Sequence, residues 1–226
     1  MQRGRRIKNF VLPVVIIALA TMMALSGCGQ KTDRSRAVYM LVDTSGTYAV
    51  ELNKAKAIIN YLLGTLQPGD TLAVGRIDTG SFSEKDIVAK VTFDSRPSMA
   101  NNQKRAFQKK VDDFVAHIQR SEYTDISGGI LQAIEYLNES RAGNKYILIF
   151  SDLQEELAKG HIRDVPFQLK GFEVVALNVT KLREDIRDPK NYMERVAQWR
   201  SKFEGGNGHW LVINDLEHLD HIFSNH

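Results

Sequence analysis

The stretch YMLVDTSGTYAV, Tyr39 to Val50, decides how the chain is read. With the two residues before it, the run is apolar without a break through Val42. It then turns polar at Asp43, Ser45 and Thr47. An unbroken apolar run of this kind suits a strand covered on both faces, because a half-exposed strand would alternate. One carboxylate and two hydroxyls at the tip leave three readings open. They can hold a divalent cation, carry a phosphoryl group, or cap the next helix.

Outward from that stretch, strand and helix patterns alternate. Leu52, Ala55, Ile58, Ile59, Leu62, Leu63 and Leu66 recur at helical spacing, and QPGD breaks the stripe. TLAVGRI and DIVAKVTF read as strands. Phe107, Val111, Phe114, Val115 and Ile118 mark a second helix, and Ile130, Leu131, Ile134 and Leu137 a third over 128–138. KYILIFSD repeats the opening pattern, an apolar strand ending in the carboxylate of Asp152. FEVVALNV and HWLVI are further strands. Between them, Asp188 and Pro189 begin a helix with a capping carboxylate and a first-turn proline. Leu216, Leu219, Ile222 and Phe223 close the chain as a terminal helix.

This order predicts an α/β fold, doubly wound, with a mostly parallel sheet of about six strands and helices on both faces. In such a sheet ligands sit beyond the carboxyl ends of the strands. That places Asp43, Ser45, Thr47 and Asp152 on one edge. The loop DTGSFSEKD, 78–86, joins them if its strand runs parallel to the first.

The basic balance resides in the N-terminus. Arg3, Arg5, Arg6 and Lys8 fall within residues 1–27, which contain no acid. Without them the formal charge of +3 becomes about −1, so the remainder is near neutral. No basic stripe with interleaved aromatics occurs, which argues against nucleic acid as a partner. The basic start and the apolar VLPVVIIALATMMALSG read as an export signal over 1–27. Its end, LSGC, resembles the bacterial lipobox. That resemblance implies lipidation of Cys28, the only cysteine, and a membrane anchor of several acyl chains. Residues 28–36 would then be the lipidated cysteine and a polar tether, and 37–226 the folded domain. The expected location is the cell envelope. The outer membrane, facing the periplasm, is favoured in a cell with two membranes, because Gly29 is not a retention aspartate. A lone cysteine excludes an internal disulfide.

Asp43, Ser45 and Thr47, then Thr124, then Asp152, follow the order of the metal-ion-dependent adhesion site of von Willebrand factor type A domains. The resemblance covers the chain from about Ala37 onward. Thr47 stands in place of the usual third serine, and FSDL in place of the frequent ITDG. The resemblance implies one antiparallel edge strand and no catalysis. It also implies Mg²⁺ (or Mn²⁺) held directly by Ser45, Thr47 and Thr124, with Asp43 and Asp152 acting through water. An acidic residue of a protein ligand would complete the coordination.

DTSGT also resembles the Asp-x-Asp-Gly-Thr box of haloacid-dehalogenase-like phosphatases, with Asp43 as nucleophile and Ser45 where the acid/base should be. A metal-free scaffold of the same fold is a third reading. Plain structural roles compete at each residue. Asp43 and Ser45 can cap the first helix. Glu155 and Glu156 can occupy a helical turn after Asp152, and Asp125 and Ser127 can cap the 128–138 helix. His218 and His221 have zinc spacing but no evident third ligand, and read as a solvated face. Trp199 and Trp210 read as core.

Overall fold

Ala37 to Val42 lose essentially all contact with solvent because their strand, β1 (Arg36–Asp43), lies inside a six-stranded sheet. The computed structural model describes residues 34–46, 48–118 and 120–223. The expected signal segment, Cys28 and Thr47 lie outside them. The other strands are β2 (Thr71–Ile77), β3 (Ile87–Thr92), β4 (Asn144–Phe150), β5 (Phe172–Leu177) and β6 (His209–Ile213), in the order β3-β2-β1-β4-β5-β6. All neighbours are parallel except β2 and β3, so the edge strand β3 is the antiparallel one.

Side chains alternate across β1 into two cores. Val38, Met40 and Val42 face α1 (Leu52–Thr65) and α2 (Pro97–Ala116). Tyr39 and Leu41 face α3 (Ile126–Glu139) and α5 (Pro189–Gly205). Both faces are apolar, which is why this strand shows no alternation in sequence. Gly75 in β2 is required by the second core: a Cβ there would lie 2.6 Å from the Tyr39 hydroxyl. That hydroxyl donates to Gln132 Oε1 on α3.

Several expectations are revised. The helix expected to end near Ile118 runs from Pro97 to Ala116. Its first half escapes the stripe because its mean hydropathy is low and only Ala100, Phe107 and Val111 are buried. The helix expected over 128–138 spans Ile126–Glu139. The terminal segment, Leu216–Phe223, is 3₁₀ rather than α, with a kink at His218. The connection from β4 to β5 carries no helix, so Glu155 and Glu156 occupy no helical turn. Phe167 and Leu169 of that connection fill the core space a crossover helix would use. A short helix, α4 (Arg183–Arg187), precedes α5 instead. Asp188 and Pro189 start α5 as expected, with the Asp188 carboxylate accepting from the Lys190 N–H.

Candidate metal centre

Parallel pairing sets Val42 opposite Phe150, so the chain ends beyond them emerge side by side. Asp43 and Ser151 meet there. The Ser151 hydroxyl donates to Asp43 Oδ2 at 2.7 Å, and the Ser45 backbone N–H donates to Asp43 Oδ1 at 2.8 Å. Asp43 is fully buried, and burial pushes its carboxyl above the usual range against these hydrogen bonds. The carboxylate caps no helix. The 3₁₀ turn Ala49–Glu51 that leads into α1 has no side-chain cap, and neither does α1.

Two short bridges bring in the third segment. Ser45 pairs with Ser121, and the Ser121 N–H donates to the Thr44 carbonyl at 3.0 Å. Thr124 pairs with Glu156 through two backbone hydrogen bonds of 2.8 and 3.0 Å. Residues 121–124 are thus stitched between the loop after β1 and the loop after β4. Asp43, Ser45, Thr124 and Asp152 therefore share one rim. Asp125 does cap α3, through the Gly128 N–H, and is held by Arg163 at 2.8 Å. Ser127 is no cap. Its N–H and hydroxyl both donate to Glu155, at 2.7 and 3.1 Å. The 78–86 loop reaches the same rim, where the Ser121 hydroxyl donates to Asp78. His218 stays exposed and pairs with Asp215.

Asp152 is only 3% exposed. Its Oδ1 accepts from the Gln154 N–H at 2.9 Å. Burial, with the charge of Asp43 nearby, pushes its carboxyl up to about 6. A buried carboxylate so destabilised in its ionised form is what a cation would relieve. Among the described residues no three His, Cys, Asp or Glu gather into a metal cluster. The donors on this rim are two carboxylates plus hydroxyls, a hard-oxygen set suited to Mg²⁺ or Mn²⁺ rather than to a soft metal. The residues fit such an ion.

The raised Asp152 carboxyl predicts an inverse pH dependence without metal. Folding favours its protonated form, so this contribution is complete below about pH 4 and is lost as pH rises through about 6. Metal-free protein should lose on the order of 1–3 kcal/mol between pH 4.5 and 7.5 from this group. Asp152→Asn should flatten that slope in thermal melts.

Four supporting residues carry no motif in the sequence. Arg195 of α5 donates to the Asp152 carbonyl at 3.0 Å and is paired with buried Asp185 at 2.7 Å. Tyr48 sits beneath the rim and donates its hydroxyl to the carbonyl of Asn178, which adopts a positive φ of 54°. The signal for Arg195 would have been a charged residue inside a helical stripe, which is too common to single it out.

No family model matches the chain, and no curated protein matches it. Solved structures do. A von Willebrand factor type A protein from Catenulispora acidiphila aligns over 83% of this chain and 40% of its own, at 14% identity and a TM-score of 0.51. The pilus adhesin SpaC from Lactobacillus rhamnosus GG, in its open conformation, aligns over 87% of this chain and 30% of its own, at 10% identity and a TM-score of 0.54. The chain thus spans less than half the length of either. Six strands with a single antiparallel edge, helices on both faces and a rim at the carboxyl ends identify the described domain as having the von Willebrand factor type A fold.

Proposed function

We propose that this domain binds a divalent cation, Mg²⁺ or Mn²⁺, and through it an acidic residue of a protein partner. Ser45, Thr47 and Thr124 are its direct ligands, and Asp43 and Asp152 act through water. Lipidation at Cys28 holds the domain at the cell envelope. The observation that carries this reading is the stitching of residues 121–124 between the Asp43 and Asp152 loops. Three segments distant in sequence offer hydroxyls and acids on one rim. The fold shared with a pilus adhesin supports a role in binding.

A phosphatase role has less support. A nucleophilic carboxylate needs an oxygen open to phosphorus. Asp43 is fully buried and holds two hydrogen bonds to Ser45 and Ser151.

Thermal melts test the metal. With Mg²⁺ at about a hundred times its Kd, stability should rise by about 2.7 kcal/mol. That corresponds to roughly 5–10 °C for a domain of this size. Ser45→Ala and Asp43→Ala should abolish the gain. A melting temperature indifferent to both Mg²⁺ and Mn²⁺ would leave the metal-free scaffold as the better account. Pull-down from envelope extracts should recover a partner with Mg²⁺ and lose it with EDTA. Turnover of p-nitrophenyl phosphate, lost on Asp43→Asn, would instead establish the phosphatase.

A further inference from the structure

We infer that the edge of the sheet opposite the metal rim docks onto an anionic lipid bilayer. The amino ends of the parallel strands lie together on that edge, set by the register Arg36↔Asn144, Ala37↔Lys145 and Lys145↔Phe172. Adjacent strands stand about 4.8 Å apart, so residues at these ends form a row. Arg34 and Arg36 enter β1 there. Arg141 and Lys145 lead into β4, and Lys170 precedes β5.

None of these five cations is salt-bridged among the described residues. The Arg36 guanidinium lies over Phe223 and the Lys145 ammonium over Phe172, which holds both heads at the edge. Acids on this side are few or engaged. Asp70 is buried and accepts the Arg36 and Gln67 N–H groups, Asp94 pairs with Arg96, Glu173 hydrogen-bonds His209, and Glu139 and Glu204 are exposed. The opposite edge carries Asp43, Asp152, Glu155, Glu156, Glu184 and Asp188 beside Lys181, Arg183, Arg187 and Lys190. The unpaired cations therefore gather where the chain enters, whereas the rim mixes both signs.

An anionic bilayer fits the basic edge by charge and by the path of the chain. Arg34 lies six residues after Cys28, and six residues reach at most about 22 Å. A membrane holding Cys28 lies within that reach of this edge; to that extent the inference rests on the anchor reading. Each lysine or arginine brought to an anionic surface strengthens binding about fivefold at physiological salt. Docking this way leaves the metal rim facing outward, toward a partner.

Hydrogen exchange of the full chain tests this, on nanodiscs of phosphatidylcholine alone and with 30% phosphatidylglycerol. On the anionic discs, amides of 140–145 and 168–172 should exchange at least threefold more slowly than on neutral discs, and those of 180–188 at equal rates. Raising NaCl to 0.5 M should remove the difference. Arg141→Glu with Lys170→Glu should remove it too. Both side chains are exposed, so the melting temperature should stay unchanged. Equal exchange on the two discs would overturn the inference, and is also the result if this face serves an acidic protein. A chain that leaves neutral discs altogether refutes the anchor only, because exchange on the anionic discs still reads the docking.

Discussion

Phe203→Ala should lower folding stability by about 3–5 kcal/mol, the largest packing effect expected in this domain. Phe203 has no solvent exposure and stands at the centre of an aromatic stack. Its ring lies 5.6 Å from Phe167, 5.4 Å from Trp199 and 4.9 Å from Trp210, all nearly parallel. These rings join α5, β6 and the helix-free β4–β5 connection. Removing the central ring leaves a cavity that three large rings cannot collapse into without leaving their rotamers. The melting temperature should fall by roughly 6–20 °C. Urea denaturation followed by tryptophan fluorescence reads the same loss from both indoles. A loss below about 1 kcal/mol would mean that the connection repacks freely and is not held by this cluster.

The second large effect concerns charge. Asp185→Ala should destabilise the domain by about 3–5 kcal/mol, because it strands the Arg195 guanidinium in a poorly hydrated position. The Asp185 side chain is fully buried and that of Arg195 is 10% exposed. Arg195 holds the Asp185 carboxyl below the usual range, joined by the Leu182 N–H at 2.7 Å. A carboxyl depressed in this way contributes its stability above pH 4 and loses it only as pH falls further. The pair should therefore survive mild acid. The double variant Asp185→Ala with Arg195→Met should recover part of the loss, since no orphan charge remains. Arg195 also donates to the Asp152 carbonyl. Asp185→Ala should thus weaken the stabilisation by Mg²⁺ as well. If Mg²⁺ protects this variant as well as the parent, Arg195 supports the fold alone and does not position the rim.

The strand order shows how far pattern reading reaches. β1, β2, β4, β5 and β6 were legible because burial on both faces demands apolar runs, and such runs survive any detail of packing. The antiparallel direction of β3 came from family resemblance, since DIVAKVTF reads the same in either direction. The β4–β5 connection misled the reading for a different reason. SDLQEELAKG has the composition of a helix start, with acids where a first turn favours them. In the structure Glu155 bonds the Ser127 N–H and hydroxyl of another element, and Glu156 pairs with Thr124. Those bonds compete with a local helix, and no local propensity reveals them.

By itself the sequence determined which side chains could do chemistry and at which strand ends they stand, because hydrophobic period and strand polarity are local properties. It also determined that Asp43 has hydroxyl neighbours two and four residues on. Only the tertiary structure decided that residues 121–124 lie between the two acidic loops, that Arg195 reaches the Asp152 carbonyl, and that the cations at the strand starts align. Those relations depend on the register between strands and on hydrogen bonds closed across dozens of residues, which are fixed only when the whole core packs.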